Sequence, residues 1–376
     1  MSSARIGHGR TLATEVVGPV DPTGHRFAHA PWDPLLGLLP LRSPRLLGGP
    51  TDRLAARRLT RGLGPCRVGV VPRRRFESGL LVFTLRTPGA SAVVKRARDA
   101  RAAAVLVREW EVLGALLADP RLAPWRTLLP RALGPRPRAP VPVLAQERLP
   151  GSPWAGPGRG GPPPGADPVL DAVLDLLAAV RRATGRPVPA ADRGASWTAE
   201  PLGLLASEVR WCRSGAGAEG LAALRLRLHR ALRGAVLTEG WTHTDLHPGN
   251  VLLDGRRAVT GLVDWGGALP AGPAELDACT AVLTVRSARD GRPLGRLVAD
   301  ALRPPGLPAA DRALLVRKGA APDGGGGDPA LLPLLAWLWH VAGNVRKAPG
   351  YGRSTWWTAG TVAPVLLEAA RWARGS

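Results

Sequence analysis

Lysine is almost missing from this 376-residue chain: of 51 basic residues only Lys95, Lys318 and Lys347 are lysines, and the rest are arginines. Acid is also short, with 29 Asp and Glu, which leaves a formal net charge of +22. Such an excess attracts phosphate backbones and anionic surfaces. Here, however, the arginines are scattered, no nucleic-acid recognition motif accompanies them, and alanine, glycine and proline are equally enriched, as in a biased coding composition. Nucleic-acid binding is therefore not expected as the main function. Three cysteines, Cys66, Cys212 and Cys279, stand too far apart for zinc or redox spacing and read as reduced thiols. No basic segment with an unbroken apolar run opens the sequence, and the stretch from Leu35 to Pro40 is cut by glycine and proline. A soluble, cytoplasmic protein with no membrane partner is expected. No internal repeat is evident.

What is there divides into three parts. Residues 1–60 are rich in Pro, Gly and Arg without sustained periodicity and read as an extension of uncertain order. Residues 61–150 contain the β-prone runs 68–71, 80–85, 92–95 and 140–149, separated by turn-rich segments, which predict an antiparallel meander. Between the third and fourth runs, Val105, Leu106, Glu109, Val112, Leu113 and Leu116 recur at helical spacing from Asp99 to about Leu117. The Pro- and Gly-dense stretch 150–165 is the expected lobe boundary. Residues 151–376 turn helical. Asp167-Pro168 offers an N-cap followed by an N1 proline, and further helices are expected near 200–213, 218–233, 275–285 and 330–346. The fold class is α+β, a β-rich N-lobe followed by a mostly helical C-lobe.

The chemistry concentrates between His243 and Asp264. Asp254-Gly255 reads as a two-residue hairpin turn between Val251–Leu253 and a return run ending at Val263. That register sets Asp264 opposite residues 245–247, near Asp245 and Asn250, while Pro248-Gly249 keeps the intervening loop out of helix. Phosphoryl transfer needs a divalent cation to neutralise phosphates and a carboxylate to orient the acceptor hydroxyl and take its proton. Mg²⁺ takes one or two protein oxygens plus phosphate oxygens, which suits Asn250 with Asp264 and leaves Asp245 as the base.

The run His243-Thr-Asp245-Leu-His-Pro-Gly-Asn250, with Leu262-Val-Asp264-Trp265 after it, resembles the catalytic loop and metal motif of the aminoglycoside phosphotransferase and choline kinase-like family, which shares the protein-kinase-like fold. The resemblance implies Asp245 as base, Asn250 and Asp264 as Mg²⁺ ligands, and His243 as an organiser of the loop. It also implies a lysine on the third strand paired with a glutamate on the next helix. Ala92-Val-Val-Lys95 and Glu109 meet that requirement, with Glu111 as the fallback. Gln146 to Gly151, including Glu147 and Leu149, is similar to the linker whose backbone groups read the purine. Ser78 and Gly79 lie in a reduced phosphate-covering loop, Arg75 to Gly79, with one glycine where protein kinases have three. Asp277, in Gly272-Pro-Ala-Glu-Leu-Asp277, is either the family's brace of the catalytic loop or a helix first-turn acid stabilised by the dipole. Two positions depart from the family pattern: Thr244 replaces a usual glycine, and Gly266-Gly267 replaces polar residues.

The implied function is an ATP- or GTP-dependent phosphotransferase acting on the hydroxyl of a small molecule. A nucleotide-binding pseudokinase and a basic nucleic-acid-binding protein are the alternatives. A protein kinase is disfavoured, because no Arg lies between His243 and Asp245, Trp-Gly rather than Phe-Gly follows Asp264, and no Ala-Pro-Glu appears. Zinc is disfavoured because Pro248-Gly249 breaks any helix that would bring His243 and His247 together. Trp337, Trp339, His340, Asn344 and Trp356-Trp357 form an aromatic-rich segment that reads first as core, with an acceptor platform as the alternative. A polycationic acceptor needs an acidic groove that so basic a chain can hardly build.

Overall fold

The structure is a computed structural model that describes residues 67–70, 79–86, 91–133, 136–138, 142–321 and 327–375. The extension expected over 1–60, Cys66 and Ser78 lie outside the described residues.

Four antiparallel strands, β1 (Arg67–Val70), β2 (Leu80–Arg86), β3 (Ser91–Ala97) and β4 (Val143–Glu147), form a sheet in that order. This is the expected meander. In the register Lys95 lies between Val82 on β2 and Leu144 on β4. Alternation along β3 sends Val94 to one face, with Leu81 and Phe83. Ala97 goes to the other face, where Ala102, Leu106 and Leu144 close a second cluster. Lys95, two residues before Ala97, shares that second face. Helix α1 (Ala100–Ala118) covers it, started by Asp99, whose carboxylate accepts from the N–H of Ala102 at 2.7 Å. Its buried stripe reads Leu106, Glu109, Leu113 and Leu116, so a single acid stands among leucines. A nine-residue 3₁₀ segment, Pro120–Leu128, follows.

Beyond β4 the chain is mostly helical: α2 (Pro168–Thr184), α3 (Ala190–Glu208), α4 (Gly215–Arg233), α5 (Glu275–Asp290), α6 (Leu294–Ala301), α7 (Ala309–Arg317), α8 (Leu331–Lys347) and α9 (Ala363–Gly375). Asp167 caps α2 by accepting from the N–H groups of Val169 and Leu170, ahead of its N1 proline. Helix α3 begins ten residues before the expected 200, because it runs through Pro201, which by pattern looks like a first-turn proline. Helices α6, α7 and α9 were not anticipated. The first two are eight and nine residues long, too short to establish a period. Two small sheets complete this part. One orders β10 (Leu269–Pro273), β7 (Val236–Thr242) and β6 (Arg186–Pro189); the other orders β5 (Ser152–Pro153), β8 (Val251–Leu253) and β9 (Val259–Leu262).

One large apolar core fills the helical part, with Trp197, Trp337 and Trp339 among its fully buried side chains. Their indole N–H groups are satisfied: Trp337 donates to the Thr361 carbonyl and Trp339 to that of Trp197. These tryptophans and the buried Trp357 are packing residues, while Trp356 is exposed. Helix α1, which covers the sheet, is tied to this body where Trp241 on β7 donates to Asp119 at its end. The architecture is α+β, a β-rich part followed by a helical one, as expected of a protein-kinase-like chain. Among the described residues no helix is long and apolar enough to cross a membrane.

Candidate active site

Helix α1 brings Glu109 to within 2.6 and 2.9 Å of the Lys95 ammonium, with the lysine 7% and the glutamate 1% exposed. Two long side chains are thereby held in one place by charge in a dry setting. Burial acts to discharge Lys95, but Glu109 and Asp264 overcome it and hold the ammonium protonated above its ordinary range. Asp264 lies 3.2 Å from the same ammonium.

The loop after β7 is built around a buried carboxylate. Asp277, in the first turn of α5, accepts from the N–H groups of His243 at 2.6 Å and Thr244 at 2.9 Å. Its geometry is that of a brace. Burial pushes its carboxyl up to about 7, against the two N–H groups that stabilise the charged form. His243 is buried, and its Nε2 meets the Val263 carbonyl at 2.9 Å while its ring packs against Trp265 with centroids 4.4 Å apart. Burial lowers its proton affinity, so the neutral imidazole donates from Nε2 to that carbonyl and ties the Asp245 loop to the residue before Asp264. Asn250 donates from Nδ2 to the Asp245 carbonyl at 2.9 Å. Among the described residues nothing donates to its Oδ1.

Thr244 adopts φ 67° and Asp264 φ 69°, both in the left-handed region. For a residue with a Cβ this costs about 1–2 kcal/mol. At Thr244 the cost is offset locally, because its hydroxyl donates to the Gly267 carbonyl at 3.0 Å. A Cβ on residue 267 would stand 2.7 Å from that hydroxyl oxygen. The two departures from the family pattern thus touch each other: the threonine occupies the room that the glycine leaves.

The hairpin differs from the expected one. Val251 pairs with Leu262 and Leu252 with Gly261, with an irregularity before Leu253 and Val259. Asp254 does not head a two-residue turn; its Oδ1 accepts from the N–H groups of both Arg256 and Ala258, and Arg257 takes φ 65°. A carboxylate that satisfies two backbone donors stabilises a longer loop, and the register shifts. Asp264 therefore does not face residues 245–247 by strand pairing. It lies past the end of β9 and meets Asp245 through a third residue.

That residue is Lys347, at the C-terminal end of α8. Its ammonium stands 2.6 Å from Asp245 Oδ2 and 2.6 Å from Asp264 Oδ2. Burial would raise both carboxyls, but Lys347 pulls Asp245 down to about 2, aided by His247, and Lys347 with Lys95 holds Asp264 well below the usual carboxylate range. Sequence reasoning missed Lys347. Its rarity was a usable sign, as was its position on the helical stripe of His340 and Asn344, which hydrogen-bond to each other at 2.9 Å.

The remaining expected residues are distributed as follows. Gly79 precedes β2 at φ 66°, and a Cβ there would collide with the Asp99 carboxylate, so it lets the strand begin against the cap of α1. Its carbonyl accepts from Arg98. Glu147 ends β4, with its N–H donated to the Arg131 carbonyl and its carboxylate paired with Arg131 at 2.8 Å. Leu149 is buried, and among the described residues its N–H has no acceptor. Glu111, the fallback partner for Lys95, is exposed and pairs with Arg136 instead. His247 accepts at Nδ1 from the Gly249 N–H at 3.0 Å.

The sequence profile described as the phosphotransferase enzyme family matches residues 73–314, more than half of the chain. No curated protein matches it at a significant level. Several solved structures are similar. An aminoglycoside-3'-phosphotransferase of type VIII is 24% identical, the match covering 76% of this chain and 98% of that one with a TM-score of 0.48. Macrolide 2'-phosphotransferase type I is 20% identical over 86% and 96%, with a TM-score of 0.44. An aminoglycoside phosphotransferase from Streptomyces rimosus is 20% identical over 76% and 98%, with a TM-score of 0.45.

Proposed function

The chain belongs to the phosphotransferase enzyme family, and we propose that it moves the γ-phosphoryl group of ATP or GTP to a hydroxyl of a small molecule. The carrying observation is that Lys95, from the sheet, meets Asp264, while Asn250 contacts Asp245 and Lys347 joins Asp245 to Asp264. Residues 61–150 would form the nucleotide-binding lobe and residues 151–376 the lobe with the catalytic loop and acceptor site.

In this reading Lys95, braced by Glu109, holds the nucleotide phosphates. The free Leu149 N–H supports a purine contact at the linker, a role that the Glu147 N–H, already spent, does not share. Asn250 Oδ1 and the Asp264 carboxylate are hard oxygen donors of the kind Mg²⁺ takes, and they would hold it with phosphate oxygens completing the shell. When bound, the metal supplies charge neutralisation for the transferring phosphoryl group. Asp245 orients the acceptor hydroxyl and accepts its proton. Its carboxyl, held down to about 2, is ionised throughout the neutral range. His243 and Asp277 fix the loop that carries it.

The face of α8 toward Asp245 carries Lys347, His340 and Asn344, and the helix contains no acid. This supports a neutral or anionic acceptor over a polycation, whose ammonium groups would need carboxylates to replace their water. The test is labelled-nucleotide transfer across a panel of hydroxyl acceptors with the wild type and Asp245→Ala. Transfer by the wild type, and loss of it by at least about 10²-fold in the variant with nucleotide binding retained, is expected. Full activity in Asp245→Ala would sink the assignment.

A further inference from the structure

The centre is a string of alternating charges in which each neighbour is in contact: Glu109, Lys95, Asp264, Lys347 and Asp245. Three carboxylates face two ammonium groups, so the string keeps one uncompensated negative charge. Lys95 has its proposed task at the nucleotide, but Lys347 comes from the C-terminal end of α8. We propose that Lys347 is an internal counter-ion: it holds the base and the metal-ligand carboxylates together until the metal–nucleotide complex arrives. It then stays on Asp245 as a positioning residue. The proposal rests on the phosphotransferase reading for the identity of the incoming cation.

Three observations carry it. First, the ammonium is shared evenly, at 2.6 Å to one oxygen of each acid, so it occupies the gap between the two groups that a bound cation would neutralise. Second, those two acids are the salt-bridge partners of Lys347, whereas its neighbour Arg346 turns away to Glu200 at 2.7 Å and stacks over Trp339. The remaining lysine, Lys318, pairs with Asp171 and Asp175 on α2 instead. Third, a lysine suits the task. Its charge is compact, its three donors can redistribute, and its four-carbon stem can swing from Asp264 without moving the helix. With Lys347 neutral, three carboxylates would face Lys95 alone, and a free divalent cation would be drawn in. With Lys347 charged, a bare metal ion gains little, and the cation enters with the nucleotide, whose contacts to Lys95 and the linker add to its own.

The test measures metal without nucleotide. Mn²⁺ binding is followed by electron paramagnetic resonance on the full chain as wild type, Lys347→Met and Lys347→Arg, with circular dichroism to confirm folding. Mg–ATP and Mg–GTP binding to the wild type is measured in parallel. Weak Mn²⁺ binding by the wild type, tightened about ten-fold or more in Lys347→Met and restored to the wild-type level in Lys347→Arg, is the expected result. Unchanged Mn²⁺ affinity in folded Lys347→Met overturns the proposal. So does tight nucleotide-free binding by the wild type, which needs no variant to fold. Failure of the wild type to bind either Mg–nucleotide would instead strike the phosphotransferase reading.

Discussion

Replacing Lys95 by methionine keeps the length of the side chain and removes its charge, and the cost can be worked out from its partners. Glu109 is 1% exposed, and Lys95 is its salt-bridge partner, bonded through both carboxylate oxygens. Breaking such a pair from one side leaves a buried, uncompensated charge and costs about 3–5 kcal/mol. Glu109→Leu is milder, at about 1–3 kcal/mol, because Lys95 keeps Asp264 at 3.2 Å. The double variant Lys95→Met/Glu109→Leu replaces the pair by apolar groups beside Leu106 and Leu113 and should recover most of the loss, to within about 1 kcal/mol of wild type. Guanidinium unfolding of the four proteins, followed by tryptophan fluorescence, then gives a coupling energy of at least about 3 kcal/mol. A pH signature goes with it. Alone in the sheet–helix interface, Glu109 has a folded pKa above its unfolded value, so the native state binds the extra proton and the deficit of Lys95→Met shrinks as pH falls from 7 toward 5. Additive single effects, or a Lys95→Met variant within about 1 kcal/mol of wild type, would refute this account of the pair. Nucleotide binding should be weakened in all three variants, whatever their stability.

Further predictions concern the loop. His247 is buried, and burial lowers its pKa to about 4 despite the attraction of Asp245. The unfolded state, near 6.5, binds the proton first, so stability contributed by the neutral ring is full above 6.5 and is lost as pH falls toward 4, by about 3 kcal/mol. His247→Gln should flatten that limb of a stability–pH curve, and an unchanged slope would contradict it. Thr244→Gly relieves a left-handed backbone but loses a hydroxyl bond, so its unfolding midpoint should stay within about 1 kcal/mol of wild type. Gly267→Ala forces a Cβ against the Thr244 hydroxyl and should cost about 1–3 kcal/mol in the wild type and little in the Thr244→Gly background. Equal costs in both backgrounds would show that the two positions are independent.

Much of this was legible because it is local. The β-meander, the capped helix at Asp99 and the Asp167-Pro168 start follow from spacing and from side chains that bond within three residues. The His243-to-Asn250 loop is legible for another reason, since its residues resemble a known family's catalytic loop. Lys95 and Glu109 could be paired because the resemblance implies a lysine on the third strand and a glutamate on the helix that follows it. The hairpin register was misjudged by a local effect too, since Asp254 has two uses, turn former and backbone acceptor, and the pattern alone does not choose between them. Lys347 was not legible in that way. Its partners lie 102 and 83 residues away, and only the tertiary packing of α8 brings it to them. The functional standing of the site residues rests on the proposed experiments rather than on pattern.

The string of five charges also has a bearing on synthesis. It joins residues 95 and 109 to 245 and 264, and its closing member, Lys347, lies in the last tenth of the chain. Contacts of such long sequence separation form late, after their loops have closed. A nascent or truncated chain ending before residue 347 can build the sheet, the helix α1 and the Lys95–Glu109 pair, yet it leaves Asp245 without its lysine partner and Asp264 with Lys95 alone. The ionic centre is therefore complete only once the chain has extended past residue 347.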